Sequence, residues 1–552
     1  MTCSYVSGPS AMPLLGETVG ACLDRAASAF PAREALVSCH QHFRFTYQEL
    51  REEVERIARG LLALGVERGD RVGIWSPNCA EWLITQYAAA KVGAILVNIN
   101  PSYRTRELAY ALHQSGTSVL ITARRFRNAD YVAMLAEVAP GLGALRTIVY
   151  LGTDRNPGGL SWDDLAANGE GVSESRLRAR EAGLQFDDPV NIQYTSGTTG
   201  APKGATLSHH NILNNGFFIG ERLRYTADDR ICLPVPFYHC FGCVLGSLAA
   251  LTHGCTVVLP GESFDAEACL RAVQDERCTS LYGVPTMFIA ELEHPSFASY
   301  RLGSLRTGIM AGSPCPVEVM RQVVDRMHMP DVTIAYGMTE TSPVSFQSVV
   351  DDPIETRVAT VGTIHEHLEC KVVDPATGAI VRRGEPGELC TRGYAVMLGY
   401  WDDPVATAAA VDSARWMHTG DLAVMREDGY VNIVGRLKDM VIRGGENIYP
   451  REIEELLYAH PKIGDVQVIG VPDPKYGEEL CAWVRLREGH TATADEIRDY
   501  CRTVLAPYKI PRYIRFTIEF PLTVTGKVQK FRMRQISITE LGLENAARME
   551  TA

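Results

Sequence analysis

The chain has 552 residues, 46% of them hydrophobic and 22% charged, which predicts a globular protein with two or more domains. Its formal net charge of −12 argues against a nucleic-acid partner and against docking on an anionic membrane, because both need a basic face. The first residues lack the basic start and apolar core of a signal peptide, and no apolar stretch is long enough to span a bilayer, so we expect a cytoplasmic protein.

The first part of the chain alternates helix and strand signals. Apolar residues recur at helical spacing from Leu50 to Leu62, and Gly65 follows as a stop signal. This alternation predicts an α/β fold, with a large N-terminal domain of parallel-rich sheets packed by helices. The elements predicted after Gly65 are a strand at 72–75, a helix at 81–92, a strand at 95–97, a helix from Arg106 and a strand at 118–122.

Residues 194–204, with the sequence YTSGTTGAPKG, form the most informative segment. Glycines let backbone N–H groups turn toward a ligand, hydroxyls add donors, and Lys203 adds positive charge. The segment is unsuited to a helix or a strand, and it predicts a loop that grips a polyphosphate. It is not the common P-loop, because Gly204 follows Lys203 where that motif has Ser or Thr. A flexible surface linker is the alternative, but linkers rarely carry so many hydroxyls.

The fifteen cysteines are scattered along the chain. The pair Cys240 and Cys243 forms a C-x-x-C sequence, and no second such pair supplies further zinc ligands. A redox-active pair is an alternative interpretation. We expect buried, reduced thiols instead.

The clearest domain boundary lies at residues 435–439. A strand is predicted before it, at 430–434, and the glycine-rich segment 440–450 after it carries turn signals. The predicted division is therefore a domain at 1–435, a hinge at 436–439 and a small mobile α+β domain at 440–552. The elements predicted in the small domain are an amphipathic helix at 450–459, strands at 466–471 and 481–486, and a helix at 494–505.

Several motifs occur in an order that resembles the acyl-adenylate-forming, or AMP-binding, superfamily. They are the 194–204 segment, YGMTE at 336–340, TGD at 419–421, Gly435-Arg436 and TGK at 525–527. The resemblance covers nearly the whole chain, from Phe45 to Lys530. The segments PFYHCFG, GELCTRGYAVMLGYW and IRGGENIYPREIE are most similar to fatty acyl-CoA synthetases, particularly the medium-chain type.

The resemblance implies a two-step reaction with ATP, Mg²⁺ and CoA. A carboxylate attacks the α-phosphate of ATP and releases pyrophosphate, and a thiol then attacks the acyl-adenylate. Two like unit charges 4 Å apart repel by about 1 kcal/mol in water and by about 4 kcal/mol at an effective dielectric constant of 20. The first step therefore needs cations and oriented donors.

The resemblance assigns the phosphates and the metal to two segments. Glu340 is similar to the magnesium ligand of the family, and the Thr339 hydroxyl is placed at the α-phosphate. Alternatively, this Thr-Glu pair caps a helix. The residues assigned to the β- and γ-phosphates are Thr195, Ser196, Gly197, Thr198, Thr199, Gly200 and Lys203.

The nucleotide contacts follow from the same resemblance. Asp421 is assigned to the ribose hydroxyls, which suits an acceptor-only carboxylate, and Arg436 to the ribose or a phosphate. An Asp after Thr-Gly is otherwise a routine turn residue. Tyr336 offers a ring face to adenine, although lone tyrosines are commonly core residues. The residues assigned beside it are Gly337 and, on the opposite side, Gly312 and Ser313.

The C-terminal part supplies a lysine, a hinge and a path for CoA. Lys527 resembles the lysine that bridges the substrate carboxylate and the α-phosphate, a role that suits a flexible ammonium group delivered by domain closure. Lys438 is at the hinge position, with an exposed loop residue as the alternative. Gly444 and Gly445 would let the thin pantetheine arm pass close to the backbone.

The acyl pocket is predicted less sharply. His239, Phe241 and Met338 are candidates to line it, although a buried histidine satisfied by the backbone is an equally serious interpretation of His239. His365 and His367 are expected on a solvated loop, because two ligands do not make a zinc site.

Two alternatives to the fatty acyl-CoA synthetase remain open. The acyl-adenylate is handed to an acyl carrier protein instead of CoA, or the chain is a non-catalytic nucleotide-binding scaffold. A scaffold has no need of Lys527, Glu340 and Asp421, and all of them are present. The sequence does not reveal the chain length of the acid or the oligomeric state.

Overall fold

The structure is a computed structural model that describes residues 2–152, 158–195, 202–313, 315–444, 446–522 and 528–549. The chain divides into two compact units. The large unit comprises Tyr5–Cys370 and Cys390–His418, and the small unit comprises Met1–Ser4, Lys371–Leu389 and Thr419–Ala552. The strands Leu368–Val373, Pro386–Gly393 and Met417–Met425 pass from one unit to the other. The division at 435–439 into two domains and a hinge stays a prediction.

The first sheet of the large unit has eight strands. Six of them run parallel to their neighbours, which confirms the parallel-rich α/β fold, and an antiparallel hairpin with one short partner closes one edge. In spatial order the strands are Leu160–Ser161, Thr147–Tyr150, Val119–Thr122, Arg71–Trp75, Ile95–Asn98, Pro189–Thr195, Lys203–Ser208 and Gly399–Tyr400.

The second sheet of the large unit has nine strands and is parallel through its middle. Antiparallel strands cover both of its edges. In spatial order the strands are Thr363–Ile364, Val344–Gln347, Asp331–Gly337, Thr307–Ala311, Ser280–Gly283, Arg230–Cys232, Thr256–Leu259, Glu34–Ser38 and Phe43–Thr46. Short strands outside the two sheets are Tyr5–Ser7, Arg125–Phe126 and Ala129–Asp130.

The helices of the large unit begin and end at clear local signals in the sequence. The helix Tyr47–Ala63 begins at a capping box between Thr46 and Glu49, and the helix Ala80–Val92 ends at Gly93 with φ of 73°. The α-helices of the large unit are Val19–Ala29, Tyr47–Ala63, Ala80–Val92, Thr105–Ser115, Tyr131–Val138, Trp162–Asn168, Glu174–Ala182, His209–Arg222, Ser247–His253, Ala266–Asp275, Pro285–Leu292, Val317–Arg326, Ile354–Ala359 and Pro404–Ala410. Tighter turns are Ala139–Gly141, Gly169–Gly171, Phe297–Ser299 and Thr339–Thr341, and Phe241–Gly246 is a π-helix.

The helix Ala80–Val92 is the centre of the main core. Every residue of it except Glu81 is buried, including Lys91. The Lys91 ammonium lies 2.8 Å from carboxylate oxygens of both Asp24 and Glu181, so its charge is compensated inside the core.

The small unit contains a separate α+β core. Five strands form one sheet, in which Gly477–Leu486 lies between Ile463–Asp473 and Val441–Arg443 and also pairs with Tyr513–Phe516. The fifth strand, Glu446–Ile448, forms a hairpin with Val441–Arg443. Outside this sheet, Val431–Arg436 pairs with Met417–Met425. The helices are Pro450–Tyr458, Ala494–Arg502, Lys530–Leu541 and Glu544–Met549, with 3-10 turns at Leu437–Asp439 and Pro507–Lys509.

No helix in the part of the chain that the structure describes is both long and apolar enough to cross a membrane.

Candidate active site

A β-hairpin frames the predicted phosphate loop. Strand Pro189–Thr195 pairs antiparallel with strand Lys203–Ser208, and Thr195 lies opposite Lys203. The expectation that residues 194–204 contain no strand was wrong at both ends, because the ladder of the first sheet extends to the base of the loop. Ser196, Gly197, Thr198, Thr199 and Gly200 lie outside the described residues, so their assignment to the phosphates stays a prediction.

Neighbouring elements fix the base of this hairpin. The Tyr194 hydroxyl donates to Gln114 Oε1 at 2.6 Å, and the Tyr110 hydroxyl donates to the Pro202 carbonyl at 3.1 Å. On the other side the Trp401 N–H donates to the Gly204 carbonyl at 2.7 Å. The loop therefore starts and ends on backbone that is held from two directions.

Glu340 lies beside the base of the hairpin. It belongs to the 3-10 turn Thr339–Thr341 and is only 5% exposed. Its Oε1 accepts hydrogen bonds from Thr195 Oγ1 at 3.3 Å and from the Tyr400 hydroxyl at 2.8 Å. The structure thus brings together Thr195, Lys203 and Glu340, which the sequence predicted, with Tyr400, which it did not.

This group of oxygens fits a hard divalent cation. Glu340 Oε2 makes no hydrogen bond or ion pair with any residue in the described ranges, and the Thr195 hydroxyl lies against the same carboxylate. Carboxylate and hydroxyl oxygens are the ligands that Mg²⁺ prefers. The pair Glu340 and Thr195 is therefore where a magnesium ion would be held.

The other nucleotide candidates of the large unit lie at one edge of the second sheet. Strands Thr307–Ala311 and Asp331–Gly337 run parallel, with Ala311 opposite Ala335, so Gly312, Ser313 and Tyr336 follow at the same carboxyl edge. Ligands of α/β sheets commonly bind at such an edge. The Tyr336 ring is half-buried and meets Phe346 edge-on at 6.1 Å between centroids.

Backbone geometry explains two glycines at this edge. Gly312 has φ of 92°, which favours glycine. A Cβ added to Gly337 would lie 1.7 Å from the Pro343 carbonyl oxygen. Gly337 lets the backbone pass close to Pro343, just after the turn that carries Glu340, and the Met338 N–H donates to the same Pro343 carbonyl at 2.9 Å.

His239 and Phe241 flank a cysteine that contacts this turn. The Cys240 sulfur lies 3.8 Å from Thr339 Oγ1 and 3.5 Å from His239 Nδ1. The Phe241 N–H donates to His239 Nδ1 at 3.1 Å, so this nitrogen is an acceptor. His239 is thus bonded to the backbone, as one interpretation of it expected, but it is half-buried rather than buried. Its neighbour Cys240 contacts Thr339.

One histidine expectation was wrong. His365 is not on a solvated loop but fully buried, with Nε2 3.0 Å from Gln347 Oε1. Burial holds its pKa well below the ordinary value, so the ring is neutral. His367 is half-buried. The cause is the strand Thr363–Ile364, which carries His365 to the edge of the second sheet.

None of the fifteen cysteines, all of which lie within the described residues, forms a disulfide, and twelve of them are buried. Cys240 and Cys243 form no disulfide. The Cys243 sulfur lies 3.4 Å from the side-chain nitrogen of Asn98, and burial raises the pKa of its thiol. These observations agree with the expected reduced, buried thiols.

In the small unit, Asp421 and Arg436 face each other across two strands. They are opposite in the register of Met417–Met425 with Val431–Arg436, and Arg436 Nε lies 3.1 Å from Asp421 Oδ1. Asp421 is nearly buried, whereas the Arg436 side chain is 53% exposed. Two residues that the sequence assigned to one ligand are therefore direct neighbours.

Lys438 and Gly444 also lie in the small unit. Lys438 is on the 3-10 turn Leu437–Asp439, and partial burial together with the nearby Arg436 lowers the pKa of its ammonium. Gly444, with φ of 60°, forms the turn after strand Val441–Arg443, and its N–H donates to the Tyr476 carbonyl at 2.8 Å. Gly445 and Lys527 lie outside the described residues.

Two residues of the site escaped the sequence reasoning. Tyr400 belongs to the segment GELCTRGYAVMLGYW, which was used only to choose a branch of the superfamily, and Cys240 belongs to PFYHCFG. The contacts of both depend on which segments meet in the fold, so neither segment carries a local signal for them.

Known families, curated proteins and solved structures match most of the length of this chain. A family model described as AMP-binding enzyme matches residues 23–401, and one described as AMP-binding enzyme C-terminal domain matches residues 452–527. The putative acyl-CoA synthetase YngI of Bacillus subtilis (strain 168) is 48% identical over 546 residues, covering 97% of this chain and 99% of the relative. The mitochondrial medium-chain acyl-CoA ligase ACSF2 of Danio rerio is 46% identical, covering 98% of this chain and 92% of the relative. The crystal structure of the anthranilate CoA ligase AuaEII in complex with anthranoyl-AMP has a TM-score of 0.84 at 27% identity, covering 96% and 99% of the two chains.

Proposed function

The chain belongs to the AMP-binding enzyme family, and from this we propose that it is an ATP-dependent fatty acyl-CoA synthetase. In the first step a carboxylate oxygen of the acid attacks the α-phosphorus of ATP, and pyrophosphate leaves. In the second step the CoA thiol attacks the acyl carbonyl, loses its proton, and AMP leaves. The products are acyl-CoA, AMP and pyrophosphate, so the enzyme is an acid–thiol ligase.

The observation that carries the proposal is the convergence of Thr195, Lys203 and Glu340 at the base of the hairpin. Thr195 and Lys203 are opposite residues of one ladder, and Thr195 donates to the Glu340 carboxylate. A fixed hydroxyl and an ammonium at the two ends of a glycine-rich loop support a polyphosphate site.

A magnesium ion is part of the proposal. Glu340 and Thr195 would hold it, and when bound it neutralises charge on the phosphates and so favours the approach of a second anion. Thr195 donates to the Glu340 carboxylate, and Lys203 would add a second positive charge beside the phosphates.

The remaining assignments rest on the resemblance. Lys527 would bridge the substrate carboxylate and the α-phosphate, Asp421 and Arg436 would bind the ribose, and Gly444 and Gly445 would line the path of CoA. The Asp421–Arg436 contact of 3.1 Å supports a shared ligand for these two side chains. Lys438 remains the proposed hinge.

The proposed acids are medium- to long-chain fatty acids. The medium-chain acyl-CoA ligase among the relatives supports this range, and the buried apolar side chains Phe237 and Phe241 beside His239 suit an acyl chain. Each methylene contributes only about 0.8 kcal/mol of binding. The chain length therefore has to be measured.

The test is pyrophosphate release from ATP and Mg²⁺ over a series of acids from acetate to palmitate, with benzoate, each with and without CoA. We expect turnover that requires an acid and rises strongly with CoA. Acid-dependent adenylate that CoA does not discharge would instead indicate a carrier-protein acceptor. No pyrophosphate with any acid would favour the nucleotide-binding scaffold.

A variant separates the two half-reactions. Lys527→Ala is expected to abolish adenylate formation, because the bridging charge is lost, while thioester formation from preformed acyl-adenylate and CoA continues. Equal loss of both half-reactions would contradict the role proposed for Lys527.

The cytoplasmic location also stays a prediction, to be checked by cell fractionation, since the Danio rerio relative is named mitochondrial.

A further inference from the structure

Tyr400 occupies a position for which the two-step reaction gives no role. It lies in the short strand Gly399–Tyr400 at the edge of the first sheet, opposite Ala205 of the hairpin. This pairing points the phenol at the Glu340 carboxylate, with 2.8 Å between the Tyr400 hydroxyl oxygen and Glu340 Oε1. A strand sixty positions further along the chain thus contacts the proposed metal ligand directly.

The segment 397–400 makes a second hydrogen bond to Glu340, through the backbone. The Met397 N–H donates to the Glu340 backbone carbonyl at 2.9 Å. Backbone and side chain of one residue are therefore fixed by residues 397–400, which restricts rotation of the carboxylate about its own side-chain bonds. A carboxylate that is only 5% exposed also needs such donors, because a buried polar group without a hydrogen bond is costly.

The two donors converge on one oxygen. Thr195 Oγ1 and the Tyr400 hydroxyl both bond Oε1, and Oε2 has no hydrogen-bond partner within the described part of the chain. A carboxylate with one oxygen occupied by protein donors presents the other to a cation in a single orientation. Groups that orient a metal ligand in this way typically change metal affinity by about 10- to 100-fold when they are removed.

The rest of the Tyr400 side chain is also engaged at the site. Its ring faces the Lys203 ammonium, whose Nζ lies 5.1 Å from the ring centroid. The ring and the hydroxyl of Tyr400 thus contact the two charged residues of the site, one each.

We propose that Tyr400 is a positioning residue for the metal ligand Glu340: its hydroxyl holds Oε1 so that Oε2 is available to the magnesium ion bound with ATP. The proposal rests on the proposed function, because that function supplies the ATP–magnesium complex. The hydroxyl itself touches neither the metal nor the reacting atoms in this assignment.

The test variant is Tyr400→Phe, which removes the hydroxyl and keeps the ring beside Lys203. We expect the Mg²⁺ concentration for half-maximal pyrophosphate release to rise about 10-fold or more, with a smaller change in kcat at saturating Mg²⁺. A direct binding measurement accompanies it: electron paramagnetic resonance of free Mn²⁺ during titration of the protein with Mn²⁺ and α,β-methylene-ATP, which cannot release pyrophosphate. The affinity for Mn²⁺ is expected to fall by a similar factor.

The matched control is Tyr5→Phe. The Tyr5 hydroxyl donates to Glu369 Oε2 at 3.1 Å, so the change deletes another phenol–carboxylate hydrogen bond in the same unit. We expect it to leave the Mg²⁺ and Mn²⁺ dependences unchanged, and thermal unfolding of both variants checks that they remain folded.

The outcomes separate this proposal from the function itself. Unchanged Mn²⁺ affinity and unchanged Mg²⁺ dependence in Tyr400→Phe would overturn the positioning role while leaving the ligase intact. If the wild-type protein releases no pyrophosphate with any acid, the proposed function fails, and the Mn²⁺ titration alone decides the role of Tyr400. An equal fall in metal affinity in Tyr5→Phe would also count against it.

Discussion

At the scale of single residues, Gly337 leaves no room for a side chain. A Cβ would lie 1.7 Å from the Pro343 carbonyl oxygen, so the backbone before the Thr339–Thr341 turn would have to move. We expect Gly337→Ala to lower the free energy of unfolding by about 1–3 kcal/mol and to reduce adenylate formation, because Glu340 is displaced with the turn. Urea unfolding and pyrophosphate release measure the two effects.

The control for this change is Gly16→Ala, where an added Cβ meets nothing within 4 Å. It should change the free energy of unfolding by no more than about 0.5 kcal/mol. Wild-type stability and activity in Gly337→Ala would mean that the turn relaxes without cost and that its close approach is not needed.

A second residue-scale prediction concerns Glu291 and pH. Its carboxyl is buried, Oε2 has no hydrogen-bond partner, and burial raises its pKa to about 8, partly offset by a hydrogen bond from Cys269. The folded state therefore keeps a proton that the unfolded chain releases near the ordinary pKa of about 4.3. Stability from this group is present at low pH, falls as pH rises from about 4.3 to 8, and is constant above that range.

Glu291→Gln removes this titration. Between pH 5 and pH 9 the wild-type protein should lose more unfolding free energy than the variant, by on the order of 4 kcal/mol. Urea unfolding of both proteins at the two pH values measures the difference. Parallel losses in the two proteins would show that Glu291 is ionised in the folded state.

At the scale of elements, a chain of carboxamides joins two neighbouring parallel strands. Asn191 Nδ2 donates to the Leu96 carbonyl at 2.8 Å and to Asn98 Oδ1 at 2.9 Å, and Gln193 Nε2 donates to Asn191 Oδ1 at 2.6 Å. Strand Pro189–Thr195 ends at Thr195 of the candidate site, and strand Ile95–Asn98 runs parallel to it. The amides therefore fix the strand that carries one side of the hairpin.

Asn191→Leu is expected to lower the free energy of unfolding by about 2–3 kcal/mol. The change leaves Gln193 Nε2 and Asn98 Oδ1 without their hydrogen bonds to Asn191 inside the core. Denaturant unfolding measures it. Gln48→Leu, an amide-to-leucine change on an exposed helix position, is the control and should change stability by less than about 0.5 kcal/mol. A loss no larger than that of the control would mean that the amides are individually dispensable.

Much of each element could be predicted from local sequence, and much of the site could not. The helix expected at 81–92 is observed as Ala80–Val92, because Gly93 with φ of 73° ends it through a local signal. The contact between Tyr400 and Glu340 depends on which strands pair, and periodicity reports the conformation of a strand but not its partner. The burial of His365 has the same cause, since Gln347 comes from another strand.

The motif residues show the same limit. The hairpin ends at Thr195 and Lys203 were expected to be loop, because glycine and hydroxyl content describes the middle of the segment and not the ladder that enters it. The Asp421–Arg436 contact follows from an antiparallel register that no spacing in the sequence encodes. The sequence therefore identified the types of residue at the site, but it did not predict which of them are in contact or at what distance.

At the scale of the whole molecule, the thiols report how completely the chain is folded. None of the fifteen cysteines forms a disulfide in the described structure; Cys3 is exposed, and Cys39 and Cys315 are half-buried. Burial raises the pKa of the Cys39 thiol to about 11, which slows its reaction further. We expect at most three thiols to react quickly with a disulfide reagent in the native protein and all fifteen to react in denaturant.

A spectrophotometric titration of thiols, on protein freshly freed of reductant, counts both sets. Rapid reaction of many more thiols without denaturant would mean that one of the two cores opens readily. Fewer than fifteen in denaturant would reveal cysteines already oxidised.

The enclosure of the helix Ala80–Val92 limits how this protein can vary. An ordinary surface helix offers an outer side where replacements are neutral, but here all positions except Glu81 are buried. In a library of every single substitution, selected for growth that depends on the enzyme, positions 82–92 should appear as eleven consecutive intolerant positions with no helical periodicity. The helix Ala494–Arg502, which buries only Ile497 and Cys501, should instead tolerate replacement at most of its positions. Accepted substitutions should therefore accumulate in the outer elements of the protein. A substitution in the central helix should be accepted only when the residues packed against it change as well.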